Sequence, residues 1–127
     1  MRRTEVTNAI LKTLTACVPS IPWTSKVVGV AASKSAEGTI ACDKVSFGYD
    51  AKNSIVATAT YYIYIVDVNS TTDVDGLAEQ VFECLHNDDL GGVITVGDIL
   101  QITYGVAPGK PNSSAALLEY VVKYTEN

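Results

Sequence analysis

Residues 54–68 read SIVATATYYIYIVDV, from Ser54 to Val68. The run is β-branched and aromatic, holds no Gly or Pro, and is long for a strand, so extended chain is its natural state. Side chains alternate across a strand. One face therefore carries Ile55, Ala57, Ala59, Tyr61, Ile63 and Ile65, and the other Val56, Thr58, Thr60, Tyr62, Tyr64 and Val66. A sheet with one wet face alternates apolar with polar residues. Neither face does so here, which requires cover on both sides, by helices on one and by a second protein copy on the other.

C-terminal to this strand, Thr72 opens a helix to Asn87, with Asp75 three residues on as a shortened capping box. Val74, Leu77, Ala78, Val81, Phe82 and Leu85 form its apolar stripe. Asp75, Glu79 and Glu83 form an acidic ridge at i, i+4 spacing, where each like-charge pair costs roughly 0.2–0.5 kcal/mol. Such a ridge is either plainly solvated or held for a basic partner. Asn87-Asp88-Asp89-Leu90-Gly91-Gly92 is a turn-rich stop. Two strands follow. Asp98 to Val106 is expected to bury Leu100, Ile102, Tyr104 and Val106, and Ala115 to Thr125 to bury Leu118, Tyr120, Val122 and Tyr124. The linker from Ala107 to Ser114 reads as a hairpin with a loose tip, too long for a tight turn.

N-terminal to the long strand, Thr4 to Cys17 is amphipathic, with Val6, Ala9, Ile10, Leu14 and Cys17 at helical spacing. Thr4 stands where an N-cap would, Glu5 favours the first turn, and Pro19 and Pro22 stop the helix. Lys26 to Ala32 predicts a short strand weakened by Gly29. Residues 33–53 are rich in Ser, Gly, Lys and Asp and read as a long mobile connection, with at most one irregular strand around Val45 to Tyr49. The expected fold is α+β in two layers: a mostly antiparallel sheet with two helices packed on one face, as a single domain over residues 1–127.

The chain is 47% hydrophobic and 18% charged, which excludes wholesale disorder. No apolar run reaches the roughly 18–20 residues of a spanning helix, and Met1-Arg2-Arg3 precedes no signal-peptide core, so a soluble cytoplasmic chain is expected. An isoelectric point near 4.6 argues against a free-standing nucleic-acid binder. The charge is uneven. Residues 1–52 hold seven basic groups against four acidic ones, for +3, while residues 53–127 hold two against ten, for −8. This is either chance sampling of a wet surface or a device that orients copies head to tail.

Cys17, Cys42 and Cys84 are odd in number and widely spaced, and read as reduced thiols used as small hydrophobes. His86 lies near Cys84, Asp88 and Asp89, but one Cys-x-His pair without a second pair does not make a zinc site. There is no G-x-S-x-G elbow, no phosphate-binding G-x-x-x-x-G-K-[ST], no H-E-x-x-H and no G-x-G-x-x-G. Cys84 and His86, two apart on a helix, do not face each other. Gly91-Gly92 is a helix stop before it is a phosphate loop. No catalytic, cofactor or metal residue is expected, and the protein reads as no enzyme.

The C-terminal half carries a resemblance. The strand Ser54–Val68, the acidic helix Thr72–Asn87, the turn Asp88-Asp89-Leu90-Gly91-Gly92-Val93 and the terminal strand ending Leu118-Glu119-Tyr120-Val121-Val122-Lys123-Tyr124 resemble the tail terminator and tail-completion (minor tail) proteins of long-tailed bacteriophages. The likeness covers most of the chain in element order and is specific over about residues 54–127; residues 26–53 depart from the pattern. It implies a structural virion protein with no cofactor, a homo-oligomer forming a ring, commonly a hexamer, on the head-proximal end of the tail tube. The ring stops tube growth and provides the head-joining surface. Implied partners are the protein itself, the tail tube protein and the head–tail connector, with DNA passing through unbound, no membrane, and assembly in the cytoplasm of the bacterial host.

Joined to the two-sided strand and the charge asymmetry, the resemblance points to Val56, Thr58, Thr60, Tyr62 and Tyr64 as a buried inter-copy or inter-sheet face. Lys26, Lys34, Lys44 and Lys52 would meet Asp75, Glu79 and Glu83 of a neighbour. Two alternatives stand beside it: a head–tail adaptor or minor capsid protein of the same element order, and a small ligand-binding α+β domain whose Tyr61, Tyr62, Tyr64 and Tyr104 line a pocket.

Overall fold

The computed structural model describes residues 1–25, 36–70 and 72–126. Its elements are α1 (Arg3–Cys17), β1 (Trp23–Thr24), β2 (Glu37–Tyr49), β3 (Ile55–Asp67), α2 (Val74–Leu85), β4 (Val96–Ala107) and β5 (Lys110–Thr125). The five strands form one sheet in the order β1-β2-β3-β5-β4. All neighbours are antiparallel except β1, which runs parallel to β2 through Trp23 and Thr24. The two helices pack against one face, giving the expected α+β layers.

The strand that decides the fold lies at the centre of the sheet. Its odd face, Ala57, Ala59, Tyr61, Ile63 and Ile65, is fully buried under the helices. From β5 the same layer receives Leu118, Tyr120, Val122 and Tyr124, all buried as expected. From above, α1 contributes Val6, Ile10 and Leu14, and α2 contributes Val74, Leu77, Ala78, Val81 and Leu85. Burial of this apolar surface is the main force holding the layers together.

Several expectations need correction. The segment read as a mobile connection contains the regular thirteen-residue strand β2. Its period is hidden by a bulge at Asp43, between Cys42↔Tyr61 and Lys44↔Thr60. The helix-facing residues are thus even before the bulge (Ile40, Cys42) and odd after it (Val45, Phe47, Tyr49), which defeats a search for strict alternation. A tight turn follows, in which Asp50 Oδ1 accepts the N–H groups of Lys52 (2.8 Å) and Ser54 (2.9 Å). The predicted strand Lys26–Ala32 lies outside the described residues.

A second bulge, at Leu100, changes the burial of β4. Ile99 is buried and Ile102 half-buried, whereas Leu100, Tyr104 and Val106, expected inside, are 60%, 49% and 57% exposed. The linker after β4 is a two-residue turn, since Ala107 pairs with Lys110 across Pro108-Gly109. Pro at the second turn position and Gly109 at φ 73° at the third fit a type II turn. The Ser113 hydroxyl accepts the Ala107 N–H and donates to the Lys110 carbonyl, which carries both strands to the tip.

The helix starts also differ. Asp73, not Thr72, caps α2, its carboxylate accepting the Gly76 N–H at 3.0 Å. Thr4 lies inside α1, and the residue before the helix is Arg2, with no side-chain cap. Arg2 instead ties the helix start to the end of the chain. Its backbone N–H donates to Glu126 Oε1 (2.8 Å), and its guanidinium donates to the carbonyls of Val93 and Thr125 (each 2.8 Å) and to Glu5. The pairing holds the Glu5 carboxyl below the usual carboxylate range.

The cysteine reading holds for Cys42 alone. Cys17, at the end of α1, and Cys84, near the end of α2, are joined in a disulfide with Cα atoms 6.4 Å apart. Sixty-seven residues separate them in sequence, so only the side-by-side packing of the two helices brings them together.

Candidate functional site

Among the described residues, no helix or strand packs on the face of the sheet opposite the helices. Residues paired across strands point to the same side. The open face therefore carries Val56, Thr58, Thr60, Tyr62 and Tyr64 on β3, with Ala41, Lys44 and Ser46 beside them on β2 and Leu117, Glu119, Val121 and Lys123 on β5. The five β3 residues stand in one row, as their alternation requires. Thr60 is buried between its strand neighbours, and Val56, Thr58, Tyr62 and Tyr64 are half-buried with no layer above them among the described residues. Partial burial pushes the Tyr64 phenol above its ordinary value. At one end of this face Val66, Ala107 and Ala115 form a small apolar cluster with Tyr64 and Val68. The result is a mixed surface of tyrosine, threonine and aliphatic side chains, suited to contact with another protein surface.

The charged candidates divide between the two layers. Lys44 is exposed on the open face beside Thr60, and Lys52 is exposed in the β2–β3 turn. Lys26 and Lys34 lie outside the described residues. Asp75, Glu79 and Glu83 are exposed on the outer side of α2, and among the described residues none of them forms an ion pair. Lys44 and the acidic ridge are thus on opposite layers of one molecule.

The charge asymmetry of the sequence is not carried by the sheet itself. α2 packs over β4, β5 and β3, whereas α1 packs on α2 and β1. In the strand order, β1 and β2 form one flank of the sheet and β5 and β4 the other. Neither flank is strongly charged: β2 carries Glu37, Asp43 and Lys44, while β4 and β5 carry Asp98, Lys110, Glu119 and Lys123; the acidic excess lies on α2 and the turn that follows it.

The other motifs have structural duties. The Asp88-Asp89-Leu90-Gly91-Gly92 turn is three consecutive left-handed residues, with φ of 53°, 70° and 90° at Leu90, Gly91 and Gly92. Asp88 and Asp89 accept the N–H groups of Leu90 (2.8 Å) and Gly91 (3.1 Å), and the turn drives the buried Leu90 into the core. His86 stacks on Phe82 with ring centroids 4.5 Å apart, and its Nδ1 accepts the Ile99 N–H at 3.1 Å. That bond makes it a cap on the edge of β4. Among the described residues no group of three or more His, Cys, Asp or Glu is placed to hold a metal, and no helix is long and apolar enough to cross a membrane. The four tyrosines of the ligand-pocket alternative are split between layers: Tyr61 is buried under α1, donating or accepting at Thr7 Oγ1 (2.7 Å), and Tyr62 and Tyr64 face the other way. An open groove of about 720 Å³ lies elsewhere, beside the disulfide and bordered by Lys12, Thr13, Cys17, Cys84 and Leu90.

What the sequence reading missed are exposed apolar residues on the two edges: Phe47 and Tyr49 on β2, and Leu100, Tyr104 and Val106 on β4. One signal was present in the sequence. From Ile99 to Ala107 the chain carries no charge and no proline, the residues with which edge strands are usually protected.

No protein-family model matches the chain, and no curated protein matches its sequence. Similarity is found among solved structures. A chain in the virion of a native gene transfer agent (GTA) particle superposes with a TM-score of 0.71 at 15% sequence identity, covering 94% of this chain and 93% of that one. At that identity the likeness is one of fold, and it extends over nearly the full length of both chains: this protein has the fold of a chain that is part of a GTA virion.

Proposed function

We propose that this protein is a structural, non-catalytic virion subunit that forms a ring on the end of a phage-type tail tube, ending tube growth and giving the head its joining surface. The observation that carries this reading is the near full-length likeness to a chain of a GTA virion. The open face supports it. Val56, Thr58, Thr60, Tyr62 and Tyr64 form a surface that a monomer leaves wet and that an assembly covers against another sheet. The uneven charge along the chain suits head-to-tail copies, with Lys26, Lys34, Lys44 and Lys52 of one copy meeting Asp75, Glu79 and Glu83 of the next, and a rotation that closes. An acidic ring also repels DNA, which lets a genome slide through without sticking.

The test is mass in solution by light scattering over a concentration series, alone and with growing tail tubes. A closed ring that halts tube growth is the expected result. A protein that ignores tubes but binds a head connector would replace the terminator reading with that of a head–tail adaptor. A monomer that binds neither would overturn both.

A further inference from the structure

The two rims of the sheet are finished differently along their length. At the start of β4 the outer rim is capped: the Asn87 N–H donates to the Gly97 carbonyl at 2.7 Å, and the Ile99 N–H donates to His86 Nδ1 at 3.1 Å. Beyond Ile99 the capping stops. Bulges stand at Leu100 and Val106, and between them Gln101–Gly105 is straight, uncharged and without a partner on its outer rim among the described residues. On the other rim, β1 covers β2 only at Gly38 and Thr39. From Ala41 to Tyr49 the rim of β2 has no strand beside it among the described residues, and Phe47 and Tyr49 are 52% and 75% exposed. A row of unpaired N–H and C=O groups flanked by exposed apolar side chains is a template for another strand.

Three features identify that strand as part of a second copy of this chain. First, β2, β3, β5 and β4 alternate in direction, and four is an even number. β4 of one copy therefore meets β2 of the next antiparallel, with both helix layers on the same side. Second, neither bare stretch carries a net charge, since Gln101–Gly105 has no charged residue and Asp43 stands beside Lys44 in the other, so the two rims do not repel each other. Third, the bare stretches lie at diagonally opposite corners. Tyr104 is level with Gly38 through Ala116 and Ile65, whereas Phe47 is level with Tyr124 through Ala57. Copies joined through these stretches step along the strand direction, and that stagger tilts strands against the axis of a closed sheet, as closure demands.

We propose that the rim of β4 from Gln101 to Gly105 pairs, antiparallel and head to tail, with the Asp43–Tyr49 half of β2 in a second copy, so that the sheets run on from copy to copy. This joint rests on the ring reading for its closure. The helices then lie on one side of the joined sheet and the open faces on the other.

The test uses the full chain with Cys42→Ala, leaving the Cys17–Cys84 disulfide in place, and adds Ser46→Cys and Thr103→Cys, both on the open face at the two rims. A short bis-maleimide is the probe. The expected result is loss of the monomer band into a covalent ladder beyond the dimer for the double variant. A dimer from Thr103→Cys alone would mean that β4 pairs with β4 and would overturn the joint, as would no product at all. The two readings fail separately. A double variant that gives no ladder yet still forms rings that halt tubes removes the joint and keeps the function. A ladder from a protein without effect on tubes keeps the joint and removes the function.

Discussion

At the scale of single residues the core is uneven in how it treats its hydroxyls. Tyr61 is buried and bonded to Thr7, whereas Tyr120 and Tyr124 are equally buried with no partner for their hydroxyls among the described residues. Removing a bonded hydroxyl forfeits the bond, and removing an unbonded one relieves a desolvated group. Tyr61→Phe should therefore lower stability by about 1 kcal/mol, and Tyr120→Phe should leave it unchanged or raise it; urea unfolding of the two variants side by side is the measurement. Burial also pushes the phenol pKa values up, Tyr61 from 10.0 to about 12 and Tyr120 further, because desolvation penalises the charged phenolate. The unfolded chain ionises first, so this contribution to stability is complete below pH 10 and is lost as pH rises from 10 towards 12. A melting temperature that falls across that window, in step with phenolate absorbance, is expected. A flat profile would contradict the burial of these rings. The positions of the buried tyrosines were legible in the sequence from alternation alone; the hydroxyl partner of Tyr61 was not, since it comes from α1, more than fifty residues away in the chain.

At the scale of elements, the bulges at Asp43 and Leu100 explain most of what the sequence concealed. Both change which parity of residue faces the core: at Asp43 even gives way to odd, and at Leu100 odd gives way to even. β3 and the paired part of β5 have no such break, and they were legible residue by residue. The acidic helix was also legible, with its N-cap off by one position, because its apolar stripe is continuous. The disulfide was not, since proximity of Cys17 and Cys84 is a property of helix packing and not of spacing. Closing so long a loop restricts the unfolded chain by roughly 2–4 kcal/mol. Mild reductant should lower the melting temperature of the wild-type chain and leave a Cys17→Ser, Cys84→Ser variant unmoved; equal effects on both would show that the bond does not brace the fold. The Leu90-Gly91-Gly92 turn gives a further check. Gly92→Ala places a side chain at φ 90° and should cost about 1 kcal/mol or more in denaturant unfolding, although open space surrounds the site, because the strain is in the backbone.

At the scale of the whole molecule the dominant property is polarity across the sheet. Free rims and strand direction both change along the axis running from β1 to β4, and both favour the same head-to-tail approach. Glu79→Lys with Glu83→Lys should weaken assembly, read as a drop in mass by light scattering, while leaving the monomer's melting temperature nearly unchanged, as both side chains are exposed. The loss should be greatest at low salt. Unaltered assembly at every ionic strength would exclude the acidic ridge from the contact. The row on β3 that faces away from the helices could be named from the sequence, since a strand apolar on both sides calls for cover on each. The rims could not be placed without the strand order, which carries β5 in between β3 and β4.

That insertion has a bearing on how the protein comes off the ribosome. β3 and β4 never touch as neighbours; each is completed by β5, which is synthesised after every other element. The start of α1 is likewise anchored on Val93, Thr125 and Glu126. The nascent chain thus holds two strands with open sides and an unanchored amphipathic helix until its final strand emerges, when the sheet and the helix start can close together. Folding of this kind is dominated by distant contacts and waits on the last strand of the sheet. A chain stopped at Gly109 should bind chaperones and fail to give a cooperative melt, even though it contains both helices and most of the strands.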